Sequence, residues 1–306
     1  LYAGVGEASS GVSASVWPCQ WDLNEAYEWG YSTEPAFTLD YSGLSVNRFA
    51  VFNELNGRNQ ANIDGIGTFC HEFSHCLGLP DFYATNKSGY YGMGTWSLLG
   101  SGNYNNNGYT PCGYTAYERA FLGWKELEEA KADTYYTLAD LANGSNAVAL
   151  RVNNDNDTNE YYILENRQQT GWNAYAAGHG LMIMHVAYDS VAWADNTVNN
   201  TATQRMTIFA ADGTLSKSNE SGDLYPNGDN DRLTAESTPP ATVYSGDDFD
   251  KPITEISEHD NLVSFWFMEG MFDRYTPEML PVDDNSVTTQ GFTAQWTEVD
   301  NTDFYT

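Results

Sequence analysis

Thr68-Phe69-Cys70-His71-Glu72-Phe73-Ser74-His75-Cys76-Leu77-Gly78-Leu79-Pro80-Asp81 is the stretch on which the reading of this chain turns. It contains H-E-x-x-H, then a glycine and an aspartate at short, fixed distances. On a helix, positions four apart share one face, so His71 and His75 can offer ring nitrogens to a single metal ion. Glu72 lies about 100° further round, where its carboxylate can take a proton from water activated by that ion. Ile63, Ile66, Cys70, Phe73 and Leu77 recur at spacings of three and four, which predicts an apolar stripe facing the core. The two histidines fall roughly 140° from the centre of that stripe. Asn62 or Asp64 is expected to cap the helix start. Gly78 stands where a helix commonly ends in a left-handed residue, and Pro80 prevents its resumption. The turn brings Asp81 back toward the histidines as the expected third ligand. One coordination position then stays open, as in catalytic rather than structural zinc sites. H-E-x-x-H also occurs by chance on solvated helices, but the added glycine, aspartate and helix stop argue against coincidence here.

The sequence around this stretch resembles a known family. HEFSHCLGLPDFY (residues 71–83) and YGMGTWSLLGSGNYNNNGYTPCGYTAYERAFLGW (residues 91–124) are similar to the M6 peptidases, the immune inhibitor A-like secreted zinc endopeptidases. The similarity starts at YAGVGEA (residues 2–8) and continues more weakly through EYYILENRQQTGWNAYAAGHGLMIMHVAYD (residues 160–189). It implies a zincin-like, metzincin-like α+β catalytic domain, with His71, His75 and Asp81 as zinc ligands and Glu72 as general base. It also implies an export signal, a propeptide and further catalytic strands upstream, and hence a secreted or cell-surface location. One departure is visible. The family has a methionine in its W-x-x-M-x-S-G turn beneath the metal, whereas this chain has Leu99 there, in Trp96-Ser97-Leu98-Leu99-Gly100-Ser101-Gly102. Leucine is close in volume, so the turn is expected to be kept; Met93 is nearby but out of register.

The totals fit this reading. The 306 residues carry a formal charge of −29, which repels nucleic acid and anionic membranes as partners. No apolar run reaches the length that spans a bilayer. Cys70 and Cys76 lie roughly 240° apart round one helix and should not bond each other. Each can pair with Cys19 or Cys112, or all four can remain thiols.

In chain order, residues 44–55 read as a strand beside the zinc helix. Residues 85–113 form a long Gly-, Asn-, Tyr- and Ser-rich loop, of a kind that is usually functional. A helix follows, with Thr115-x-x-Glu118 as a capping box and Gly123 as its stop. Glu118 is an alternative third ligand, as a glutamate on a later helix is in thermolysin-like enzymes, but its capping position favours Asp81. The catalytic domain is expected over residues 1–130. From 131 to 273, short strands at 147–152, 161–164, 181–186, 206–209 and 262–268 read as an antiparallel β-sandwich. His179, His185 and His259 there read as hydrogen-bonded structural residues. Acidic loops at 153–160, 223–231 and 247–250 carry the oxygen ligands calcium requires, though none has EF-hand spacing and acidic loops are usually solvated. Residues 274–306 resemble the beginning of a fibronectin type III module, on Gly291-Phe292-Thr293-Ala294-Gln295-Trp296.

The expected activity is hydrolysis of a protein or peptide substrate, with Glu72 moving the proton and Tyr104 a candidate second oxyanion donor. The alternatives are an adhesion or glycan-binding protein that keeps a decayed protease domain, and a metalloenzyme acting on a non-peptide substrate.

Overall fold

The computed structural model describes residues 1–39, 41–57, 62–143, 147–245 and 249–269. The fold is α+β, with short helices and several sheets. The fibronectin-like stretch expected at 274–306 lies outside the described residues.

A five-stranded sheet holds the centre, in the order Met206–Ile208, Gly180–Ala187, Glu160–Arg167, Leu150–Asn153, Glu128–Glu129. Neighbours are antiparallel except the last pair, which is parallel. Every residue of Gly180–Ala187 is buried, as happens when both faces of a sheet are covered. Alternation then sorts the side chains. Ile163, Met182, Met184 and Val186 enter one core with Leu79, Phe82, Trp96, Leu98 and Leu99. Tyr162, Leu164, Leu181 and Ile183 enter a second core, with Leu138, Ile253, Val263, Phe265 and Phe267. Those partners come from a second sheet, Ile253–His259, Leu262–Phe267 and Thr134–Ala139, packed against the first. The first core joins residues on both sides of position 130, so packing is continuous where the sequence pattern changes.

All five short strands anticipated after residue 131 are present, and Thr134–Ala139 and Ile253–His259 are two more. The second was hidden because its register shifts between Thr254 and Ser257, with Glu255 at φ 53°, which breaks the two-residue period. Residues 44–55 do not make one strand. They divide into Ser45–Val46, Arg48–Val51 and Asn53–Asn56, each with a different partner.

The H-E-x-x-H helix runs over Gly67–Cys76. Two expectations about it are corrected. Asn62–Ile63 is a strand paired with Asn53–Asn56, not part of the helix. Asp64 does not cap the helix either: it accepts hydrogen bonds from Asn53 Nδ2, Asn56 Nδ2 and Gly65 N. The apolar stripe is not the buried face; Ile63, Ile66 and Phe73 are 74 %, 45 % and 46 % exposed. Gly67, His71 and Ser74 are buried instead. The reason is contact with the following loop. A Cβ at Gly67 would sit 1.8 Å from the Asn103 carbonyl oxygen, so only glycine lets the Gly102–Gly108 turn lie on the helix backbone. The polar face can turn inward because its groups are paired, Ser74 Oγ with Cys70 O at 2.6 Å and with Tyr114 Oη at 2.5 Å.

The same loop is tied to the central sheet region by buried acids. Trp96 Nε1 donates to Asp223 Oδ2 at 2.7 Å, and Tyr91 Oη donates to Glu220 Oε1 at 3.0 Å. Burial, with Asp212 and Glu220 close by, pushes the Asp223 carboxyl up to about 7 despite the Trp96 and Tyr91 hydrogen bonds.

Two outcomes follow. Gly67→Ala should destabilise the protein by roughly 1–3 kcal/mol through overpacking against backbone, measured by urea denaturation. For Asp223, the folded-state value lies above the unfolded one, so the folded form holds the proton more tightly. Stability should therefore fall as pH rises from about 4 toward 7. Asp223→Asn should flatten that segment of a pH–stability curve; an unchanged slope would show that Asp223 does not titrate there.

Candidate metal centre and cleft

The helix ends in a turn that its sequence dictates. Gly78 adopts φ 101°, its N–H donates to His75 O at 2.9 Å, and Leu79 N donates to Ser74 O at 3.2 Å. This reciprocal pair is a Schellman stop. It leaves the Leu79 carbonyl beside the helix's own last turn, where it accepts from His75 Nδ1 at 2.7 Å. His71 Nδ1 is held in the same way, 2.8 Å from Leu98 O, in the loop where the family's methionine turn was expected. Leu99 is fully buried there, so an apolar side chain fills the methionine's place.

Each imidazole must donate from Nδ1 to its carbonyl, and each therefore presents a bare lone pair at Nε2. The two Nε2 atoms are 3.2 Å apart. Asp81 Oδ1 lies 3.1 Å from the first and 3.3 Å from the second. That oxygen is buried and has no hydrogen-bond donor among the described residues. Three acceptors thus face one point with nothing between them. Edges of this length match the face of a tetrahedron with metal–ligand distances of about 2.0 Å, so His71, His75 and Asp81 fit a divalent cation. They are also the one grouping of three or more His, Cys, Asp or Glu ligand atoms this close among the described residues.

The electrostatics agree with a site built for positive charge. Burial alone would raise the Asp81 carboxyl, but the two imidazoles beside it hold it well below the usual range. His75 is raised in turn, because Asp81 outweighs the opposing effect of burial.

Glu72 is half-buried beside the pair and lines the cleft that opens over it. Burial raises its carboxyl; the two histidines and the Gln20 backbone N–H oppose that. Two concave regions, about 780 Å³ and 530 Å³, meet at His71, Glu72 and Tyr83, so the cleft extends to both sides of the cluster. Tyr104 lines the larger one.

Sequence reasoning missed Tyr83. Its ring stacks on His71 with centroids 6.3 Å apart, and its hydroxyl is pushed upward by burial and by the negative charge of nearby Asp81. Nothing in Pro80-Asp81-Phe82-Tyr83 marks which aromatic faces the histidines; the structure buries Phe82 in the core and leaves Tyr83 at the cleft.

Other groups singled out in the sequence have separate employment. Glu118 Oε1 accepts from Ser97 Oγ at 2.6 Å, and Oε2 accepts from Thr115 N in a complete capping box, so neither oxygen is spare. His179, His185 and His259 pair with Glu258, Glu160 and Asp260. In the acidic loop at 153–160, Lys251 Nζ lies 2.7 Å from both Asn153 O and Asp155 Oδ1, supplying the positive charge there. Asp223 Oδ2 accepts from Trp96 Nε1 and Tyr91 Oη, and residues 247 and 248 lie outside the described residues. Cys19, Cys70, Cys76 and Cys112 are all free thiols; burial pushes the Cys112 thiol up to about 12.

Residues 2–127 match the family model of the immune inhibitor A peptidase M6, catalytic domain. The M6 match implies a metallopeptidase, with a metal that in this family is typically zinc. It spans the two-histidine helix, the buried loop and the capping-box helix, and stops before the central strands Leu150–Asn153 to Met206–Ile208. No curated protein matches the chain.

Zinc supplied at about 100 times its dissociation constant should stabilise the protein by about 2.7 kcal/mol, seen as a raised thermal midpoint. A chelator should reverse the rise, and His75→Ala should abolish it.

Proposed function

We propose that this chain is a secreted zinc-dependent endopeptidase whose metal is held by His71, His75 and Asp81 and whose general base is Glu72. The observation that carries this reading is the convergence of two bare Nε2 atoms and an undonated Asp81 oxygen at the floor of an open cleft. The M6 match supports the metallopeptidase class. A zinc ion bound there would act as a Lewis acid, making water nucleophilic near neutral pH and polarising a peptide carbonyl.

The chain's own residues supply the rest. Glu72 takes the proton of the attacking water and hands it to the leaving amine as the peptide bond breaks. The partly dry setting that raises its carboxyl also suits it to hold that proton between the two steps. Leu98 O and Leu79 O fix both imidazoles in the Nδ1–H tautomer, so no rearrangement is needed before a ligand binds. Tyr83 or Tyr104 supplies a hydroxyl to the developing oxyanion from the cleft wall. Cleft on both sides of the cluster leaves room for substrate chain to run past it, which favours endopeptidase over exopeptidase action.

No helix among the described residues is long and apolar enough to cross a membrane. The surplus of acidic residues and the family's habit support export. Nothing in the geometry favours an adhesion protein with a decayed site, since binding alone has no use for Glu72.

Glu72→Gln keeps shape and size but removes the base. It should bind zinc as the parent does and lose at least about 10²-fold in casein hydrolysis. Full activity in that variant would remove the mechanism.

A further inference from the structure

Asp81 is held from outside the segment that matches the M6 family. Asn196, 115 residues further along, meets it with both ends of its side-chain amide. Asp81 N–H donates to Asn196 Oδ1 at 2.7 Å, and Asn196 Nδ2 donates to Asp81 Oδ2 at 2.8 Å. The first bond settles the direction of the second. With its oxygen turned to the Asp81 N–H, the amide must turn its NH₂ to the carboxylate; the flipped orientation would set donor against donor and acceptor against acceptor.

We propose that Asn196 is a positioning residue for the metal centre: by occupying Asp81 Oδ2 it leaves Oδ1 as the single oxygen facing His71 and His75. The proposal rests on the metal-centre reading given above.

Several features of the surrounding chain make sense on this view. Asn196 sits at φ 54°, a left-handed conformation that asparagine accepts far more readily than most residues. It lies just past Asp195, the C-cap of the short helix Ser190–Ala194, whose Trp193 packs beside Phe82 and Tyr117. The next residues extend the grip. Thr85 Oγ1 donates to Asn196 O at 2.9 Å, Asn199 Nδ2 donates to Phe82 O at 2.9 Å, and Asn86 N donates to Asn200 Oδ1 at 3.1 Å. Residues 81–86 are thus laid along residues 196–200, and only Asn196 touches a proposed ligand.

The chemistry of the contact also matters. A carboxylate with both oxygens free can turn, or can offer both to the ion. One oxygen held by a fixed donor makes the other a directed, single ligand. A neutral amide does this without adding positive charge, so it does not compete with the cation for the carboxylate. A lysine or arginine in the same place would.

The test uses the whole chain and zinc alone, with affinity measured by competition against a chromophoric chelator. Asn196→Gly keeps the left-handed backbone and removes the clamp. Asn196→Asp keeps an acceptor for the Asp81 N–H but sets a second carboxylate against Oδ2. Asn200→Ala loosens the same loop without touching Asp81. Both Asn196 variants should bind zinc 10–100-fold more weakly than the parent. Asn200→Ala should lower the thermal midpoint of the metal-free protein and leave zinc affinity within about threefold. Parent-like zinc affinity in Asn196→Gly and Asn196→Asp would overturn the proposal and leave the metal centre standing. Equal weakening in all three variants would also overturn it, by showing that loop order and not the clamp sets the affinity. A parent protein that binds no zinc dependent on His71 would overturn the metal centre, and this proposal with it.

Discussion

Three lone pairs directed at one point are the constraint around which this fold is arranged. Left to themselves, two imidazole nitrogens and a carboxylate oxygen little more than 3 Å apart repel one another or trap a proton. They stay together because every other polar atom of the three side chains is already engaged. His71 Nδ1 is spent on Leu98 O, His75 Nδ1 on Leu79 O, and Asp81 Oδ2 on Asn196. None of these groups can rotate away without leaving a polar atom unsatisfied in a buried setting, at a cost of about 1–3 kcal/mol. The protein bears the unfavourable juxtaposition in advance, so a cation entering the site would find the proposed ligands already placed.

The three anchors differ in how far they reach, and this shapes what the fold has to do. Leu79 O is local, the product of a helix stop four residues from the histidine it serves. Leu98 O comes from a loop 27 residues on, which lies against the helix only because Gly67 offers no side chain. Asn196 comes from beyond Gly180–Ala187, the fourth strand of the central sheet in chain order, and the core shared by Phe82, Trp96, Met184 and Trp193 brings it home. The most distant of the three anchors is therefore the one that depends on tertiary packing rather than on local chain geometry.

Much of the local chemistry was legible in the sequence. The spacing of His71 and His75, the stop at Gly78, the return of Asp81 and the capping box that occupies Glu118 all follow from rules spanning a few residues. The central strands were legible too, since Gly180–Ala187 is an unbroken buried run. Helix orientation was not. Ile63, Ile66, Cys70, Phe73 and Leu77 have the right period for a core stripe, yet the buried face is the one carrying His71 and Ser74. Periodicity reports that a helix has two faces; it does not report which one is covered. That is decided here by a glycine contact and by polar groups that find partners inside. Asn196 was beyond reach for a related reason: in Asp195-Asn196-Thr197-Val198-Asn199-Asn200 it looks like any polar turn, and its meaning is set by a partner 115 residues away.

The boundary of the family match therefore is not the boundary of the candidate centre. Residues 2–127 carry the proposed ligands and base, but the face of the central sheet that fills the first core, and the clamp on Asp81, come later in the chain. Were the later strands an independent appendage, their surface toward the loop would be polar and the loop would close its own core. Instead Trp96, Leu98 and Leu99 are buried together with Met182, Met184 and Met206, and the side chain of Arg167 crosses the same seam to donate to Trp96 O at 2.8 Å. Apolar surface on this scale is not left to water by either half alone. The two regions are thus one packing unit, and the geometry of the candidate centre belongs to both.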